Sequence, residues 1–187
     1  MRTSRALLLR QLVVAAVLLG GIGLLSIGVS GLVAEGMGAL FGKRFVSGDT
    51  PDISYTAERC AEFLEYAPHA RTCEEAATIH HFGEVVDDRV AAGVLGLGAL
   101  GVWWLLRRSG RDEPDLLPAG LVPGIGAAMF GAAAAGLLLQ SIGLLAFGQS
   151  AGAGQYLSGG LVALPLAGAF AVALYRALLR RVRSAAV

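Results

Sequence analysis

Side chains able to do chemistry gather in one polar stretch, Cys60 to Arg89, which reads CAEFLEYAPHARTCEEAATIHHFGEVVDDR. It holds both cysteines and all three histidines, together with a run of acidic residues. On a helix at about 100° per residue, His80, His81, Glu84, Asp87 and Asp88 fall within an arc of roughly 120°. His80 and Glu84 are spaced i, i+4, and His81 and Glu84 i, i+3. Imidazole and carboxylate one turn apart can bind Zn²⁺ or a similar divalent ion. His80, His81 and Glu84 are therefore the candidate metal ligands, with Asp87 and Asp88 beside them and His69 in a neighbouring loop. The competing reading is a solvated face, because Ala76, Ile79, Val85 and Val86 occupy the opposite side. HHFGE is not the H-E-x-x-H of zinc proteases, which disfavours that chemistry.

Cys60 and Cys73 form the other candidate pair. They are not spaced as the C-x-x-C of a redox dithiol, so a structural disulfide is expected. A simple antiparallel hairpin would bring Cys60 near His80 instead. Residues 60 to 67 in a helix rise about 10 Å, and a six-residue return reaches about 20 Å. The bond therefore requires residues 68–72 to fold back along the preceding helix. The remaining chemical signals are weak. Gln140 is a polar residue deep in an apolar segment, where it could line a polar path, although such side chains more often serve as glue between helices. Gly124-Ile-Gly126 follows no strand and implies no nucleotide site. No Ser/His/Asp set suggests acyl transfer, and no ionisable group sits at the centre of an apolar run, which argues against a proton-coupled pump.

The elements that must display this stretch are membrane helices. Hydrophobic residues make up 55% of the 187-residue chain and charged residues 16%, far from a soluble average. The net charge of +1 gives no reason to expect nucleic acid. Leu12 to Ala34 runs without a charge for about 23 residues, enough to cross a ~30 Å hydrocarbon core. A cleaved signal peptide fits less well, since Leu32 is a poor residue at −3 from a cut after Ala34. Ala16, Gly20, Gly23, Ser26 and Ser30 form a small-residue stripe on this span. Glu35 to Phe45 reads as its interfacial end. A short amphipathic helix follows, capped by Thr56, with Cys60, Phe63, Leu64 and Ala67 inward and Glu58, Glu62 and Glu65 outward. Pro68 ends it.

Thr72-Cys73-Glu74-Glu75 is a capping box. It opens a helix that runs unbroken to Ser109, with Val90 to Leu106 as its membrane span. A third span follows Pro118 and Pro123 and ends near Phe147. Its ladder of Gly120, Gly124, Ala128, Ala132 and Gly136, continued by Gln140, places it centrally in the bundle. The fourth span is Leu157 to Tyr175, kinked at Pro165. The organisation expected is an all-α polytopic integral membrane protein: a single domain over 1–187 with four transmembrane helices. An extracytoplasmic helical hairpin, 46–89, is inserted between the first and second.

Charge asymmetry orients the spans. Arg2, Arg5, Arg10, Arg107, Arg108, Arg111, Arg176, Arg180, Arg181 and Arg183 fall on one side. The other, with the longer loop, has Lys43, Arg44, Arg59, Arg71 and Arg89. The positive-inside rule puts both termini in the cytoplasm of a cell-membrane protein and the cysteines where disulfides persist. Three functions compete: a non-enzymatic interaction or accessory subunit presenting the hairpin to a protein partner; a small oligomeric transporter or channel for a cation or small solute; and a metal-dependent membrane enzyme using His80, His81 and Glu84. The first needs no cofactor. The small-residue faces suit packing within one chain or in a homo-oligomer.

Overall fold

The computed structural model describes residues 2–48, 57–110 and 117–185. Six helices follow one another: α1 (Arg2–Phe41), α2 (Lys43–Ser47), α3 (Ala57–Tyr66), α4 (Cys73–Ser109), α5 (Leu121–Ala146) and α6 (Ala153–Ala185). Four of them, α1, α4, α5 and α6, are long and apolar enough to cross a membrane. The turn read from Ser47 to Tyr55, rich in Gly, Asp and Pro, and the expected Thr56 cap lie mostly outside the described residues. The 40 residues of α1 and 37 of α4 correspond to about 60 and 55 Å, so both exceed a ~30 Å hydrocarbon core.

The helices pack as two antiparallel pairs, α1 with α4 and α5 with α6, joined mainly through α1 and α6. Glycine sets the first pair. A Cβ on Gly93 would stand 2.9 Å from the Gly28 Cα, and one on Gly96 would stand 2.8 Å from the Gly21 carbonyl oxygen. Backbone therefore lies directly on backbone. The register runs from Gly38 against Phe82, through Gly31 against Arg89, to Gly21 against Leu100. At the far end the Arg10 guanidinium donates to the Leu106 carbonyl at 3.2 Å and to Ser109 Oγ at 2.8 Å.

This corrects the expected stripe on the first span. Gly20 has nothing within 4 Å of where a Cβ would be, and neither has Gly23; Ala16 is exposed, and of that set only Ser30 is buried. The packed face is Gly21, Gly28, Gly31, Ala34 and Gly38. Glycine and alanine occur all round this helix, so the partner's own glycines decide which face is used. The interfacial end, expected over Glu35 to Phe45, is broken in two. Helix α1 continues through Glu35 to Phe41 and breaks at Gly42, whose φ of 92° suits glycine. Helix α2 then tucks Val46 into a small core with Ala34, Phe82 and Val86.

The α5–α6 pair is seated by Gly126 against Phe170, which stacks on Phe130 at 5.5 Å, and by Gly159 and Gly160 against Leu137 and Leu138. The buried Ser141 hydroxyl donates to the Ala153 carbonyl at 3.1 Å. Two further expectations fail here. Helix α5 is not central: it packs on α6 and touches α1 slightly, whereas α1 meets each of the other three long helices. The ladder residues Ala128, Ala132, Gly136 and Gln140 are exposed on the outer side of α5, so within one chain Gln140 glues nothing. Gly120 and Gly124 of that ladder do meet a neighbour, Leu174. Helix α6 extends from Ala153 through Pro165 to Ala185, well beyond the expected span.

Candidate functional site

The polar stretch folds onto one end of the α1–α4 pair. Its local structure follows from the capping box. Thr72 Oγ1 accepts from the Glu75 backbone N–H at 3.2 Å, which starts α4. The Glu75 carboxylate reaches one residue further back than expected, accepting from the Arg71 N–H at 2.8 Å. Cys60 and Cys73 are joined by a disulfide, with Cα atoms 5.4 Å apart.

Helix α3 then travels along α4 in the same direction rather than antiparallel to it. Cys60 sits at Cys73, the Phe63 ring lies 5.3 Å from His80, and the Tyr66 ring lies 4.8 Å from His80. The Tyr66 hydroxyl reaches Gly83. Residues 67–72 make the return that the disulfide demands, turning through the Ala70 N–H to Ala67 carbonyl bond at 3.0 Å. The expected hairpin is thus a fold-back. Its inward side matches the sequence pattern: Ala67 is buried, while Cys60, Phe63 and Leu64 are half-buried.

The candidate ligands share one face of α4. Glu84 lies between the imidazoles, with His80 Nδ1 and His81 Nδ1 each 3.7 Å from one of its carboxylate oxygens. Glu84 is 62% exposed and His80 28%. The His80 ring is held edge-on by Tyr66 and tilted against Phe63, which fixes it as part of the α3–α4 contact. Asp87 and Asp88 are exposed further along, and His69 is exposed in the return loop. Among the described residues no three histidine, cysteine, aspartate or glutamate side chains are grouped to hold a metal ion. The arrangement makes an acidic outer surface from Glu58, Glu62, Glu65, Glu74, Glu84 and Asp87, all exposed.

Several residues that position this surface carry no mark in the sequence. The sequence places Arg89 with Asp87 and Asp88 at the edge of the Val90–Leu106 span. Arg89 turns inward instead, packing on Gly31 and donating to Ser158 Oγ at 3.1 Å. Ser158 is fully buried and its hydroxyl also donates to the Gln155 carbonyl. This contact ties the polar end of α4 to α6. Phe63 is legible as an inward position but not as a wall against His80, and nothing in the spacing singles out Tyr66. Gly48 and Gly152, both at positive φ, approach one another where α2 meets α6, and the Gly152 N–H donates to the Arg44 carbonyl at 3.2 Å. No family model, curated protein or solved structure matches this chain.

Proposed function

We propose that the chain is a four-span cell-membrane protein with cytoplasmic termini, acting as a non-enzymatic interaction or accessory subunit. Its extracytoplasmic surface is the disulfide-bonded fold-back of α3 on α4, and the partner it suits is a protein with a basic contact face. One observation carries this reading. Helix α3 is clamped at one end by Cys60–Cys73 and further along by Phe63 and Tyr66 against His80, while its glutamates point away from the clamp. A surface ordered before contact loses little conformational freedom on binding, which favours recognition. The arginine asymmetry supports the orientation.

The test has two arms. A fluorescent reporter fused after Val187 is expected to behave as cytoplasmic. A photo-crosslinking residue at Glu62, in intact membranes, is expected to give one discrete protein adduct that charge reversal at Glu58 and Glu65 removes. A terminus outside the cytoplasm overturns the orientation. No adduct at Glu62, or one indifferent to charge, overturns the docking role.

A second reading, an oligomeric channel or transporter, is favoured by the exposure of Ala128, Ala132, Gly136 and Gln140 on one side of α5. Small residues allow close helix approach, and a glutamine amide can pair with its own copy across a two-fold axis. For this reading, Gln140→Cys is expected to crosslink between chains in membranes, and Ala132→Leu to abolish the crosslink while the single chain remains folded. Absence of the Gln140→Cys crosslink leaves α5 facing lipid.

A further inference from the structure

At the end of the bundle opposite the acidic surface, α1, the end of α4 and the start of α5 line a cavity of about 340 Å³. Among the described residues α4 and α5 do not pack on one another, and α1 and α5 barely touch. Its inner wall is apolar, formed by Val14, Ala15, Leu18 and Val122 among others, with Trp103 along one side. Arg10, Gln11 and Arg107 stand at its polar end. Gln11 is fixed there: its side-chain oxygen accepts from the Leu117 N–H at 3.2 Å. Arg10 is held by Leu106 and Ser109.

We propose that this cavity binds an anionic phospholipid, taking its phosphate at Arg10 and Arg107 and its upper acyl region against Val14, Ala15 and Leu18. The proposal rests on the reading of the chain as membrane-embedded. Three properties point to this ligand. The cavity is amphipathic in the same sense as a lipid, charged at one end and apolar at the other. Both arginines flank apolar spans, at the depth of headgroups, and Trp103 has the amphipathic ring that favours the same depth. Arginine presents a planar fork that matches phosphate oxygens in pairs, and basic pockets between membrane helices are suited to acidic headgroups. A soluble anion would meet the charge of the arginines but would leave the apolar wall uncovered.

The experiment is native mass spectrometry of the full chain in mild detergent, titrated with phosphatidylglycerol or phosphatidylcholine. One phosphatidylglycerol is expected to be retained per chain, in clear preference to phosphatidylcholine. Arg107→Gln is expected to lower that retention about fivefold, the equivalent of roughly 1 kcal/mol per arginine near the headgroups. Ala15→Trp, which fills the wall without touching the charges, is expected to abolish it. Arg71→Gln, an equal charge change at the other end, is expected to leave retention unaltered. Equal retention of both lipids, or retention unchanged in Arg107→Gln and Ala15→Trp, overturns the proposal. So does complete displacement of the lipid by millimolar glycerol 3-phosphate, which would mark a soluble-anion site. Alkaline extraction of membranes separates this failure from failure of the membrane reading. A chain released without detergent refutes the latter, while one retained but lacking lipid selectivity refutes the pocket alone.

Discussion

Gly93→Leu should destroy the α1–α4 pair. At Gly93 even one added carbon stands 2.9 Å from the Gly28 Cα, a backbone atom that no rotamer change can move aside. Overpacking by one or a few carbons typically costs about 1–3 kcal/mol, so Gly93→Ala should lower the melting midpoint in detergent by roughly 3–9 °C at this chain length. Leucine would hold the helices apart along the whole register, from Gly38–Phe82 to Arg10–Ser109. The expected result is loss of the monodisperse peak in size-exclusion chromatography. Gly98 supplies the control, because a Cβ there meets nothing within 4 Å, and Gly98→Leu should elute as wild type. A Gly93→Leu protein that elutes and melts normally would show that the two backbones do not meet at Gly28.

Removing the disulfide should have the second-largest effect, and a local one. Among the described elements α3 contacts α4 alone, so once Cys60 and Cys73 are separated only the packing of Phe63 and Tyr66 around His80 retains it. The cysteines are 13 residues apart, and closing a loop of this length corresponds to about 3 kcal/mol in the chain-entropy model. Amide exchange across residues 57–66 should therefore accelerate by roughly 100-fold in Cys60→Ser/Cys73→Ser. Tryptic cleavage after Arg59 should rise in parallel. Amides of α4 beyond Val90 should exchange as in wild type. Equal exchange in the oxidised and substituted proteins would mean that the aromatic contacts with His80 suffice to hold α3.

What could be read from the sequence was set by local chemistry. The Thr72 cap, the inward side of α3, the unbroken run from Cys73 to Ser109 and the Cys60–Cys73 pairing all follow from residues within a few turns of each other. Even the return of residues 68–72 was foreseeable, as the geometric condition for the disulfide. The partner of each helix was not foreseeable. Small residues lie on several faces of α1 and α5, and a periodic stripe cannot distinguish a face that meets glycine from one that meets lipid. The Ala16–Ser30 stripe and the Ala128–Gly136 ladder failed for that reason, and with them the central placement of α5. Arg89 failed differently. Its neighbours Asp87 and Asp88 are exposed, and only Ser158, far along the chain, gives the guanidinium a reason to turn inward.

The antiparallel α1–α4 register also sets a timetable. Gly28 cannot meet Gly93 until about 65 further residues have left the ribosome, roughly 3–13 s at ordinary elongation rates. Through that interval the glycine face of α1 waits without its partner, while the fold-back has both its cysteines before α4 is complete. The α5–α6 pair faces a shorter delay, since Gly126 meets Phe170 within about 45 residues. The two pairs meet through α1 and α6, and Arg89 on Ser158 crosses the same seam. A substitution at Ser158 is therefore expected to loosen the joint between the pairs while leaving each pair intact.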